Sequence, residues 1–197
     1  MKRIEKIAVL VAATALSACG ADHYTDSGFA SVSPTGEFSQ DLDSEQSGGL
    51  ALAGTGFVFH TGALPNGDGF LGEAGILPTS NVGALPVSGT IGYAGQYQVG
   101  LIENIELSGN LLTGTQDIEN GSIFLTASID EGTITGTSDN SALVVNGTVS
   151  GGNIGGSVTY NGQSGDLDGI YGEDAAVGIF HGNNAETIFA GGFLVLD

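Results

Sequence analysis

From Thr90 onward the chain alternates apolar and polar residues with a period of two. In "TIGYAGQYQVGL", Ile91, Tyr93, Tyr97, Val99 and Leu101 share one phase with Gly95, while Thr90, Gly92, Ala94, Gln96 and Gln98 share the other. Successive side chains of a strand point to opposite faces, so this stretch reads as a half-buried strand. The pattern recurs in Ile105, Leu107, Gly109 and Leu111, in Ile123, Leu125, Ala127 and Ile129, and in Leu143, Val145, Gly147 and Val149. Val158 and Tyr160 precede Asn161-Gly162, the dipeptide of a type I′ hairpin turn. Further strands are expected over 164–171, 175–182 and 188–196. The fold class is therefore all-β. A meander with one apolar face rolls into an up-and-down antiparallel β-barrel of about eight strands, an interior that side chains can fill. Closure pairs the last strand, 188–196, with the one starting near Thr90, and removes an otherwise open edge.

The alternation stops upstream of this domain, which we delimit as 86–197. Residues 51–85 read as a loop-rich segment in which "GTGFVFHTG" can form a short strand. Residues 19–50 are polar, acidic and rich in Gly and Ser, the composition of a flexible N-terminal tether. Ahead of it, Lys2, Arg3 and Lys6 precede an apolar run from Ile7 to Ala18 that ends "LSAC". Such a run is shorter than the roughly 20 residues a membrane-spanning helix needs. A basic start, an apolar run and small residues before a cysteine form a lipoprotein signal peptide over 1–18, with lipidation at Cys19. Cys19 is the only cysteine, so no disulfide forms within one chain. Gly20 rather than Asp follows it, which points to a lipid-anchored protein of the bacterial outer membrane. Stable attachment takes two or more acyl chains.

Charge narrows the partners. The chain holds 3 Lys and Arg against 22 Asp and Glu, and all three cations lie in the signal segment. The processed chain has no Arg fork or Lys ammonium for a phosphate, a carboxylate or a haem propionate. Nucleic acid is excluded as a partner, since its binding rests on cations that neutralise phosphates. The carboxylates repel one another in the compact state, an effect that salt screens, and their field favours neutral or cationic ligands. Hydrophobic residues still make up 41% of the chain, enough for one core.

Candidate chemistry is sparse. His23, His60 and His181 are the only histidines, and as ligands they would need a convergence that spacing does not show. In "NGDGFLGE", Asn66, Asp68 and Glu73 carry ligand oxygens, but Gly75 stands where a calcium loop needs its glutamate, so a plain loop is expected. Asp166 and Asp168 of "SGDLDG" alternate onto the solvent face. There is no GxSxG, HExxH or P-loop pattern. We expect no catalytic residue, no cofactor and no metal, and a monomer.

Two stretches resemble a known family. "LPVSGTIGYAGQYQV" (85–99) resembles the Pro-x-Ser-Gly…Tyr-x-Gly-x-aromatic opening of the transferrin-binding-protein B type β-barrel domain. "GIFHGNNAETIFAGGF" (178–193) resembles its closing motif, G-x-F-Y-G-P-x-A-x-E…G-G-x-F, through Phe180, Gly182, Ala185, Glu186 and Gly191-Gly192-Phe193. His181 stands where an aromatic is usual and Asn183 where Pro is usual. The resemblance implies a surface lipoprotein with an eight-stranded barrel, often beside a handle-like region. Members bind iron-carrier proteins, haem or host regulators, mostly through handle and loop surfaces. No binding residue carries over from the two motifs. The expected function is binding of a nutrient, an iron or haem source, or a partner protein. The alternative is a passive envelope lipoprotein without a specific ligand.

Overall fold

The computed structural model describes residues 24–197 apart from 66, 68, 109 and 110. Cys19 and His23, and Asn66 and Asp68 of the "NGDGFLGE" loop, lie outside the described residues. The described chain forms two β-structures (β1 Tyr24–Phe29, β2 Asp43–Leu52, β3 Thr55–Ala63, β4 Gly69–Ile76, β5 Thr90–Ser108, β6 Leu111–Ser128, β7 Thr133–Ser138, β8 Leu143–Ser150, β9 Asn153–Tyr160, β10 Gln163–Tyr171, β11 Ala175–Asn183, β12 Ile188–Leu196). Strands β5 to β12 make a closed barrel, and β1 to β4 make a 4-stranded sheet in the order β1-β4-β3-β2.

Barrel closure joins the expected strands. β12 runs antiparallel to β5, from Ile188 opposite Ile102 to Leu196 opposite Ala94. Its other edge pairs with β11 from Ala175–Leu196 to Asn183–Ile188. The phase read from the sequence is the inward one: Tyr93, Tyr97, Val99 and Leu101 join Ile123, Leu125, Val145, Phe180, Phe189 and Phe193 in one core. Glycine in that phase makes room for rings. Gly178 and Gly182 lie opposite Phe193 and Phe189, and a Cβ on Gly182 would come within 2.5 Å of the Phe189 ring. Buried phenols find acceptors, as the cost of burying a free hydroxyl requires. Tyr93 donates to the Gly172 carbonyl at 2.6 Å. Burial, helped by the field of Asp197, pushes the Tyr93 phenol up to about 12.

In β5 the alternation breaks. The register against β6 shifts between Glu103 and Glu106, and Asn104 has a φ of 54°. This bulge inserts a residue, so the phase that follows it is reversed. Ile105 joins Ile102, Phe70 and Ile188 in a cluster separate from the barrel core, and Leu107, expected on the apolar face, is exposed.

Strands also form where the tether over 19–50 and the loop-rich segment over 51–85 are expected: β1 lies within the first, β2 spans the boundary as Asp43–Leu52, and β3 and β4 lie within the second, β3 being the short strand expected at "GTGFVFHTG". The cause lies in the barrel wall. β11 and β12 are buried at nearly every position, so their outward faces need a cover. Phe57, Phe59 and Ala74 of the sheet pack on Val177, Ile179 and Ala190 of the wall. Polar, Gly-rich β2 is a strand because β3 supplies a pairing edge, with Gly48 beneath the Phe59 ring. Local propensity is weak there, and tertiary packing decides.

Candidate functional site

Alternation along β3 divides its side chains between two environments. Phe57 and Phe59 meet the barrel, which places Val58 and His60 on the opposite face of the sheet. The segment between β1 and β2 crosses that face. Its turn is tied by Ser33, whose backbone N–H donates to the Glu37 carbonyl at 2.9 Å and whose hydroxyl accepts from the Glu37 N–H at 3.0 Å. Gly36 takes a φ of 86°, which a side chain would resist, and its Cα faces Val58. The turn delivers Glu37 and Phe38 over the sheet. Phe38 stacks on His60 with ring centroids 3.8 Å apart and planes 7° from parallel.

His60 is fully buried beneath that ring. It lies opposite Glu73 in the β3–β4 register, and its Nε2 is 3.1 Å from a Glu73 carboxylate oxygen. Its Nδ1 has no hydrogen-bond partner and lies 3.7 Å from the nearest Glu45 oxygen. When Nε2–H donates to Glu73, Nδ1 presents a lone pair toward a second carboxylate, so two acceptors face one another. Beside them opens a groove of about 550 Å³ lined by Glu37, Phe38, Asp41, Glu45, Ser47 and His60.

His181 has a different task. It lies on β11, with Nδ1 2.9 Å from the Ser27 hydroxyl of β1 and its ring edge-on to Phe29, centroids 4.4 Å apart. Ser27 in turn donates to the Asn183 side-chain oxygen at 3.0 Å, and the Asn183 amide donates to the Thr25 carbonyl at 3.0 Å. The polar "HGNN" interruption of the apolar C-terminal string is thus the strip that receives β1. Burial lowers the His181 pKa below its ordinary 6.5, against the opposing fields of Asp166 and Asp26. A depressed histidine favours the neutral form in the folded state, so the unfolded chain takes up more protons on acidification. Its contribution to stability is complete above pH 6.5 and falls as the pH drops below that value. We expect His181→Phe, which keeps the ring against Phe29, to lose less stability than the native chain between pH 7.5 and pH 5. Paired urea titrations measure this, and equal losses would show that His181 does not carry the dependence.

The structure keeps His60 and His181 in separate surroundings, and among the described residues no three His, Cys, Asp or Glu side chains converge as a metal site. Asp166 and Asp168 are exposed, as their phase in β10 predicts. Glu73 serves His60. The groove residues Glu37, Phe38, Asp41 and Glu45 were not singled out by sequence reasoning. The signal available was Phe38, an isolated aromatic after the "SPTGE" turn in an otherwise polar stretch.

No protein-family model and no curated protein matches the chain. Among solved structures it is similar to intact Ap-TbpB with its N and C lobes, at a TM-score of 0.48 and 11% identity, over 77% of this chain and 38% of that one. It is also similar to transferrin-binding protein B from Haemophilus parasuis, at a TM-score of 0.45 and 14% identity, over 81% of this chain and 38% of that one. A third is the haemoglobin receptor HpuA from Kingella denitrificans, at a TM-score of 0.31 and 13% identity, over 70% and 54% of the two chains. The chain thus spans well under two thirds of the length of each. Transferrin-binding protein B, the family that residues 85–99 and 178–193 resemble, recurs among the solved structures to which this chain is similar.

Proposed function

We propose that this protein is a lipid-anchored lipoprotein of the bacterial outer membrane, exposed at the cell surface, that binds a nutrient, an iron or haem source, or a partner protein. Residues 1–18 serve as the signal peptide, Cys19 carries the lipid, and the sheet and barrel form the binding body. The observation that carries the reading is the filled barrel. Tyr93, Tyr97, Phe180, Phe189 and Phe193 occupy the interior and are fully buried, so recognition falls to the outer surface. The sheet that covers β11 and β12 widens that surface and adds the groove at His60. The resemblance of 85–99 and 178–193 to surface lipoproteins that bind through handle and loop surfaces supports the same division of labour. With no Lys or Arg beyond residue 6, the surface selects neutral or cationic ligands.

Two experiments test this. Cys19→Ala releases the protein from the membrane fraction; retention there overturns the anchor. Immobilised full-length protein retains a specific partner from growth medium or host fluid. A surface that retains nothing above a denatured control favours the passive envelope lipoprotein instead.

A further inference from the structure

The groove on the outer face of the sheet has a chemistry of its own. Glu37, Asp41 and Glu45 line it, and the chain has no Lys or Arg after residue 6 to neutralise them. Any lysine or arginine that pairs with these carboxylates therefore comes from another molecule. A cluster of acids alone does not make a site, but His60 adds a second, independent observation. Its side chain is 1% exposed, and its Nδ1 lacks a hydrogen-bond partner while facing a Glu45 oxygen at 3.7 Å. In the neutral ring that gives its Nε2–H to Glu73, Nδ1 is a buried acceptor left unsatisfied, and an acceptor facing a carboxylate is worse placed still. Two acceptors this close lie within reach of two N–H bonds on one nitrogen or on one guanidinium. Glu45, with 37% of its side chain exposed, is the wall that can move outward to admit such a group.

We propose that this groove receives the side chain of a lysine or arginine presented by a partner protein, its N–H bonds shared between Glu45 and His60 Nδ1. Asp41 and Glu37 supply further negative charge at the mouth. Phe38, half-buried over His60, offers an apolar and π surface to the methylene stem and the head. The carboxylates do not converge on a point, which suits an extended organic cation with several donors better than a bare metal ion. The Ser33-tied turn and the Phe38 stack hold the Glu37 and Phe38 side of the groove in place before binding, so little ordering there remains to oppose it. The site specifies the partner chemistry of the binding function proposed above and rests on that reading.

The test uses the full chain, isotopically labelled, and three probes: acetyl-Gly-Lys-Gly-amide, its arginine counterpart and its norleucine counterpart. Titration of the lysine and arginine peptides is expected to shift amide resonances of Gly36, Glu37, Asp41, Glu45 and Ser47, and the norleucine peptide to leave them in place. Glu45→Gln and Asp41→Asn each weaken binding about tenfold, equivalent to 1.4 kcal/mol. Glu131→Gln, which removes one charge from the exposed β6–β7 turn, leaves it within twofold. Shifts spread over the acidic barrel surface, equal weakening by Glu131→Gln, or equal binding of the norleucine peptide would overturn the site. Binding of n-butylammonium at least as tight as that of the lysine peptide would overturn the assignment to a protein partner in favour of a free amine. Absence of peptide binding alongside a partner retained in the capture experiment removes the groove and leaves the binding function standing. Peptide binding at the groove upholds the site whatever that capture retains.

Discussion

Deletion of residues 188–197 abolishes folding of the whole chain. β12 is the one strand that joins β11 to β5, with nine residue pairs along each edge. Its removal opens the barrel and leaves two long unpaired edges. It also withdraws Ile188, Phe189, Phe193 and Val195, all fully buried. Each side chain of that kind contributes roughly 1.5–3 kcal/mol, so the four together remove about 6–12 kcal/mol, against total stabilities of about 5–15 kcal/mol. The loss extends beyond the barrel, because Ala190 belongs to the cluster that holds Phe57 and Phe59. Ile188 likewise packs with Phe70 of β4. Calorimetry of the truncated chain should show no cooperative transition. A single sharp unfolding peak would mean that the fold survives without closure.

Replacement of Phe57 by alanine is expected to cost about 3–5 kcal/mol, the range for removing a buried aromatic ring. Phe57 is fully buried between the sheet and the barrel wall. The wall is shaped for it: a Cβ added at Gly192 would come within 2.6 Å of the Phe57 ring. On that side the ring lies against bare backbone. For a chain of this length the loss corresponds to a fall in melting temperature of roughly 6–20 °C. Gly192→Val crowds the same contact from the other side and should destabilise as well. Unchanged melting of Phe57→Ala would show that the sheet contributes little to holding the barrel together. Separate melting of sheet and barrel in the variant would confirm that Phe57 couples them.

Both expectations rest on one architectural fact, that β11 and β12 face a core on each side. "VGIF" and "IFAGGFLVL" are nearly unbroken apolar strings, as strands covered on both faces read. The polar break between them, "HGNN", is where His181 and Asn183 meet the backbone and side chains of β1. A pattern of this kind announces a second layer. It does not say which segment supplies that layer, because β1 and β2 have no apolar alternation of their own. They are ordered by β4 and β3, and Gly48 passes under Phe59 only once those strands are paired.

The groove at His60 shows the same limit from the functional side. His60 and Glu73 lie 13 positions apart and meet because β3 and β4 pair in register. Phe38 and Glu45 reach the same point because the crossing segment and the start of β2 lie over that face. None of these residues shares a motif. Their charge was legible in the sequence, but their convergence was not.

The amino-acid sequence by itself determined the inward face of the barrel: a period of two sets which side chains point inward, and closing the meander hides that face without leaving an open edge. It also determined the one-sided charge, since no fold can supply a lysine that the chain lacks. Only the tertiary structure decided that 24–76 forms a sheet on the barrel's outer wall, because the covering of β11 and β12 is a contact between segments more than a hundred residues apart. It alone decided where the phase of β5 reverses, because the bulge at Asn104 answers to Ile188 and Phe70 rather than to its own neighbours in sequence. Local pattern records which face of a strand is apolar; what lies against that face is settled by packing between segments distant in the chain, which no local pattern encodes.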